Sequence, residues 1–185
     1  MSLSPAQRAE LLSLARTSIE ASLPTGERVP YDALPLHADL TQPGSSFVTL
    51  RVGEDLRGCC GTIEATHPLH VDVWNNAYAS AFADPRFPAI TPAEWRDTGI
   101  EISVLSEPER CNARSEAELL EVLRPGIDGV ILQSGARRST FLPAVWEQLP
   151  EPRDFLRHLK LKAGWPADFW LSDMQVWLYT TESFG

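Results

Sequence analysis

The stretch Leu56-Arg57-Gly58-Cys59-Cys60-Gly61-Thr62 sets two glycines around a pair of thiols, with a guanidinium close by. Glycine weakens a strand unless a bulge, a bend or a close approach requires it. A thiol beside a positive charge is biased towards thiolate, the form that acts as a nucleophile. Pairing Val52 with Leu56 across a three-residue turn, Gly53-Glu54-Asp55, sets Leu50 opposite Gly58 and Val48 opposite Cys60, an apolar side. Cys60 is then a core residue, and Arg51, Arg57, Thr49 and Cys59 share the other face. This register makes Cys59 the reactive sulfur and Arg57 its activator, with Gly58 and Gly61 as substrate contacts. The alternative is that both cysteines are small buried hydrophobes.

Other residues can supply binding groups. Asp84-Pro85-Arg86-Phe87-Pro88 is a stiff loop that either presents Asp84 and Arg86 to a ligand or is fixed by an ion pair between them. Arg137 and Arg138 follow the small-residue turn Ser134-Gly135-Ala136, which suits a carboxylate or phosphate as well as it suits a solvated hairpin tip. His67 and His70, with Asp72 nearby, have a spacing that puts two metal ligands on one helix face, but no third ligand lies within sequence reach. No metal is therefore expected, and no cofactor is indicated. Nucleotide, phosphate-loop, metalloprotease and esterase motifs are missing.

These residues need a frame. With 185 residues, 43% hydrophobic and 22% charged, the chain reads as one compact soluble unit or two small lobes. Sixteen basic residues against 25 acidic ones give a net charge of −9, which argues against nucleic acid and anionic membranes as partners. Three cysteines without a CxxC pair suit a reducing compartment, and with neither a leader nor a membrane-length apolar run at hand a cytoplasmic address is expected.

Ser4-Pro5-Ala6-Gln7 caps an amphipathic helix with Leu11, Ala15, Ile19 and Leu23 on one face. After a polar link over 28–46, Phe47 to Val52 and Leu56 to Ile63 form a hairpin, and His67-Pro68 opens a second helix through Ala81. Thr91 and Ser115 begin capping boxes, the second over a helix reaching Arg124. Between them Gly99 to Val104 alternates like a strand. Gly129 to Gln133 and Arg138 to Leu142 make another hairpin. Helices over Pro143 to Gln148 and Asp154 to Lys162 and a last strand, Met174 to Thr180, complete the pattern. The tight turns favour an α+β fold with a largely antiparallel sheet. Trp146, Trp165, Phe169, Trp170 and Trp177 read as packing residues.

Leu56-Arg57-Gly58-Cys59-Cys60-Gly61-Thr62 resembles the LRGCIGT signature of the AMMECR domain family, with Cys60 at the usual isoleucine position. Asn76-Ala77, Asp84 to Pro88, Ile100 to Leu105, Gly129 to Leu132, Arg137 to Pro143 and Leu159 to Gly164 resemble family segments in the same order. The resemblance spans nearly the whole chain, so a single AMMECR-type domain over 1–185 is expected. It implies two unequal lobes around an antiparallel sheet, with the LRGC-type segment near a cleft. Prokaryotic members are protein A of the AmmeMemoRadiSam system, which implies a Memo-like protein and a radical S-adenosylmethionine protein as partners.

Two functions compete. In the first, an enzyme or acceptor subunit uses Cys59, activated by Arg57, on a small anionic substrate held by Arg137 and Arg138, with the loop of Asp84 and Arg86 closing over it. In the second, the glycine-rich hairpin of a non-catalytic module docks a peptide or small molecule.

Overall fold

The computed structural model describes residues 2–31, 35–171 and 173–185. In chain order the elements are α1 (Pro5–Ser22), β1 (Pro43–Gly44), β2 (Ser46–Val52), β3 (Asp55–Gly61), β4 (His67–Pro68), α2 (Leu69–Phe82), α3 (Pro92–Trp95), β5 (Thr98–Leu105) and β6 (Glu109–Cys111). Then follow α4 (Glu116–Val122), β7 (Gly129–Ser134), β8 (Arg137–Phe141), α5 (Pro152–Lys162), β9 (Gln175–Tyr179) and β10 (Thr181–Phe184). Single 3-10 turns occupy Ala38–Thr41 and Pro143–Glu147. Part of the expected link over 28–46, residues 32–34, lies outside the described residues. Among the described residues no helix is long and apolar enough to cross a membrane.

The chain divides into two units, one running up to Leu105 and including Glu182–Gly185, the other Ser106–Thr181. The fold is α+β with antiparallel pairing, and the expected sheet is divided in two. The first unit holds the order β10-β5-β2-β3 and a small β1-β4 ladder, the second β6-β9-β7-β8.

In the first unit Ser4 and Gln7 close a capping box that starts α1, whose Leu11, Ala15 and Ile19 are buried. They pack with Val73, Ala77 and Ala81 of α2 on Val48, Leu50, Ile100 and Ile102 of the sheet. One face of the sheet is thus the core, and the alternate residues Phe47, Thr49, Cys59 and Glu101 belong to the other face. Burying four such aliphatic side chains contributes on the order of 1.5–3 kcal/mol each.

The second unit has its own core. Trp146 and Phe155 stack at 3.8 Å, joined by Leu119, Val130, Leu132, Leu159 and Val176. Trp165 is also buried there, stacked on Phe169, and Trp170 packs against the same core.

Four expectations change. The β2–β3 turn has two residues, because Val52 pairs with Asp55 rather than Leu56; Gly53, at φ +59°, supplies the left-handed conformation the shorter turn needs. Helix α4 stops at Val122: the N–H of Arg124 goes to the Asp128 carboxylate at 2.8 Å, and Pro125 disfavours a helical residue before it. Residues 143–147 form a 3-10 turn rather than an α-helix. The last strand is split at Thr180, whose N–H and C=O both bond Ser106, and the chain continues as β10 beside β5.

Candidate functional site

The shorter turn gives β3 one residue more than its partner, and the register slips between Leu50 and Arg51. Leu50 still faces Gly58, Thr49 faces Cys59 and Val48 faces Cys60, as alternation requires, but Leu56 faces Arg51 and Arg57 is the extra residue. This corrects the pairing of Arg57 with the thiol. Its Nε donates to Glu94 Oε1 at 3.0 Å, its Nη2 to the Ala89 carbonyl at 3.4 Å, and the guanidinium lies 5.9 Å from the centre of the Phe87 ring. Nη1 is buried with no partner. The bond to Arg57, followed by those to Thr91, holds the Glu94 carboxyl down at about 2.

The sulfur of Cys59 instead accepts a hydrogen bond from the Thr49 hydroxyl at 3.4 Å. Its backbone is held from the outer edge of β3: the N–H donates to Asp84 Oδ2 at 2.9 Å, and the carbonyl accepts from Arg86 Nη2 at 3.2 Å. Asp84 and Arg86 are themselves an ion pair, closed by Nη2 on Oδ2 at 2.7 Å and Nε on Oδ1 at 3.0 Å. The Asp84 side chain is 3% exposed, and Arg86 beside it holds the carboxyl well below the usual carboxylate range. Of the two roles open to this loop, the structure displays the internal pair. The pair also satisfies backbone groups that an edge strand would otherwise leave bare.

Both glycines have partners within the unit. A Cβ on Gly58 would stand 2.0 Å from the Ser80 carbonyl oxygen of α2, and one on Gly61 would stand 2.2 Å from Cγ of Phe47. Ser80 also enters the ladder: its hydroxyl accepts from the Cys60 N–H at 2.9 Å and lies 2.7 Å from the Val48 carbonyl. Cys60 is half-buried on this helix-covered side rather than fully enclosed. Burial first, then the charges of Asp84 and Cys59, pushes its thiol up.

The remaining candidates lie elsewhere. His70 is buried, with Nδ1 on the Leu40 carbonyl at 2.8 Å, while the exposed His67 bonds Thr66. Asp72 is enclosed by Ser46, Thr62 and Asn76, and burial pushes its carboxyl up. Among the described residues no three His, Cys, Asp or Glu side chains gather as a metal site. In the second unit Arg137 gives Nη1–H to the Gly164 carbonyl at 2.9 Å, and Arg138 lies 6.0 Å from the Trp177 ring centre. A cavity of about 540 Å³ in that unit is lined by Arg110, Cys111, Arg124 and Asp128, the last two paired at 2.6 Å.

Thr49, Ser80 and Glu94 are the residues that sequence reading left out of the site. Thr49 was visible on the Cys59 face by alternation. Glu94 was visible only as a capping residue, since its Oε2 serves Thr91 while Oε1 takes Arg57 across a long sequence separation.

A family model described as AMMECR1 matches residues 12–184. The chain belongs to the AMMECR1 family. Relatives include Protein MK0488 of Methanopyrus kandleri, 33% identical over 94% of this chain and 86% of its own length. A Methanococcus aeolicus protein is 38% identical, covering 93% of this chain and 86% of its own. The crystal structure of Uncharacterized Protein PH0010 from Pyrococcus horikoshii is 32% identical with a TM-score of 0.84, covering 94% of this chain and 88% of that one. For this AMMECR1 chain, the LRGC-type segment is therefore a strand whose glycines admit α2 and Phe47 and whose first cysteine faces away from the helices.

Proposed function

We propose that this AMMECR1 protein is an acceptor whose Cys59 thiol takes up an electrophilic small molecule on the sheet face turned away from α1 and α2. The carrying observation is the fixed thiol of the half-buried Cys59: Thr49 donates to its sulfur, while Asp84 and Arg86 grip the backbone of the same residue. A group held in this way is pre-organised for a ligand. In the step proposed, Sγ bonds to a carbonyl carbon of the ligand and the thiol proton ends on the carbonyl oxygen, so neither an oxidant nor a leaving group is needed. The Thr49 hydroxyl stabilises negative charge on sulfur as it develops. Arg57 acts by fixing the bulge rather than by activating the thiol. A Memo-like protein and a radical S-adenosylmethionine protein are the proposed sources or users of the adduct, by family resemblance. Arg137 and Arg138 are proposed anion contacts of the second unit.

Alkylation of the native protein at neutral pH, followed by peptide mass mapping, tests the reading. Cys59 is expected to be modified well before Cys60, with the first adduct lost in Cys59→Ser. Modification of Cys60 first, or of either thiol only after denaturation, overturns it. The non-catalytic docking module is the second reading. It is favoured by the partners of Cys59, which include no imidazole among the described residues. Because Asp84 and Arg86 occupy the edge at Cys59, such docking uses the sheet face rather than strand addition.

A further inference from the structure

The face that carries Cys59 continues across two more strands. Thr49 stands between Cys59 on β3 and Glu101 on β5, and Arg51, two residues along β2, stands opposite Gly99. Arg51 and Glu101 are therefore diagonal neighbours on one face, an arrangement in which opposite charges commonly attract. Here they form no ion pair. Arg51 gives Nη1–H to the Glu54 carbonyl at 3.2 Å, and among the described residues the carboxylates of Glu101 and Asp97 hold no hydrogen bond or ion pair. Between these groups lies a cavity of about 400 Å³, lined by Arg51, Asp97, Ile100, Glu101 and the glycines at 53, 99 and 185. Gly99 keeps its floor open: a Cβ there would meet only the Arg51 carbonyl oxygen, at 3.9 Å.

We propose that this cavity binds a small zwitterion, a free amino acid in chemical class, with its carboxylate on Arg51 and its ammonium on Glu101 and Asp97. A guanidinium fork matches a carboxylate, and the ammonium complements the two carboxylates. A simple anion is opposed by Glu101 and Asp97, and a simple cation by Arg51. Only a ligand carrying both charges answers the whole lining. The volume lies within the range of small-molecule sites and leaves room for a side chain. The cavity shares the sheet face that the acceptor reading uses but goes beyond that reading as a separate site, since a free amino acid offers no carbonyl to which Cys59 would add.

The test is an amide NMR titration of the full chain with each proteinogenic amino acid, and with propionate and propylammonium at equal millimolar concentration. At least one amino acid is expected to shift the amides of Arg51, Gly99 and Glu101, while the singly charged compounds leave them in place. Arg51→Ala and Glu101→Gln each weaken binding about tenfold or more. Gly99→Val fills the floor and abolishes binding while keeping the unfolding midpoint, since its backbone is not left-handed and the new side chain enters open space. Silence towards every amino acid overturns the proposal, as do equal shifts with propionate or propylammonium, or full binding by Gly99→Val. Alkylation of ligand-free Cys59 reads the acceptor function separately, so that either idea can fail alone.

Discussion

The hairpins β2–β3 and β7–β8 turn in the same way and then diverge. Each has a two-residue loop opened by a left-handed glycine, Gly53 at φ +59° and Gly135 at φ +56°. From Ser134↔Arg137 to Val130↔Phe141 the second hairpin stays in register, whereas the first slips at Arg57. Their outer edges are also managed differently. The β8 edge is tied to α5 through Ser139 on the Leu159 carbonyl and Lys162 on the Thr140 carbonyl, while the β3 edge is gripped by the side chains of Asp84 and Arg86. Turn chemistry alone therefore does not make the irregular strand. The bulge goes with distant partners: Glu94 for the extra arginine, and the close approach of Ser80 at Gly58.

The largest test of that contrast is steric. Gly58→Ala drives a Cβ into the α2 backbone, which cannot step aside as a flexible side chain would, and is expected to cost about 3 kcal/mol. Gly135→Ala meets nothing within 4 Å and bears only the left-handed strain, about 1 kcal/mol. Urea unfolding of the two variants compares them directly. Equal losses would show that the first hairpin is governed by its turn after all.

Asp84→Asn should come next, at about 2 kcal/mol, because it breaks a pair whose acidic half is enclosed and whose basic half reaches solvent. Its pH dependence has a definite sign. The folded carboxyl titrates below its ordinary value of 3.8, so its stabilising contribution is fully present above that value and is lost as pH falls through the folded one. The gap between parent and variant should thus be widest near neutrality and close in acid. Asp72, pushed up by burial, has the opposite slope: its contribution grows as pH falls. Unfolding midpoints measured along a pH series separate the two carboxylates.

The regular hairpin was legible because everything that fixes it is local: alternation, a glycine and a short loop. At Cys59 alternation also succeeded in part, giving Leu50↔Gly58, Thr49↔Cys59 and Val48↔Cys60. It failed at Arg57, because one extra residue changes what a side chain meets and no local pattern announces a bulge whose partner is 37 residues away. The family signature marked where the unusual glycines are, without their reason. That reason is the backbone of α2 and the ring of Phe47, contacts between segments that no spacing rule joins.

Arg57→Ala sharpens the division between strand and site at about 1 kcal/mol, the scale of a partly exposed ion pair with added stem packing. Stability should fall modestly while the alkylation rate of Cys59 stays within about twofold, since Thr49 and not Arg57 contacts the sulfur. A large drop in that rate would return the guanidinium to the thiol.

The smallest effect belongs to the other hairpin. Arg137 lies on an exposed strand end and donates to the Gly164 carbonyl beyond the C-terminus of α5, where the chain has already turned through a left-handed glycine at φ +75°. That carbonyl is within reach of water if the arginine is removed, so no buried acceptor is orphaned. Arg137→Ala is expected to lower stability by no more than about 0.5 kcal/mol, as surface contacts of this kind do. Adding Arg138→Ala should change little more, because Arg138 is an exposed strand residue and interactions made by such surface side chains contribute little. The proposed anion contact is then measurable in a folded background: the double variant should melt close to the parent and lose affinity for inorganic phosphate. If it melts far below the parent, the two arginines hold the β8–α5 edge together, and the second hairpin depends on distant partners as much as the first.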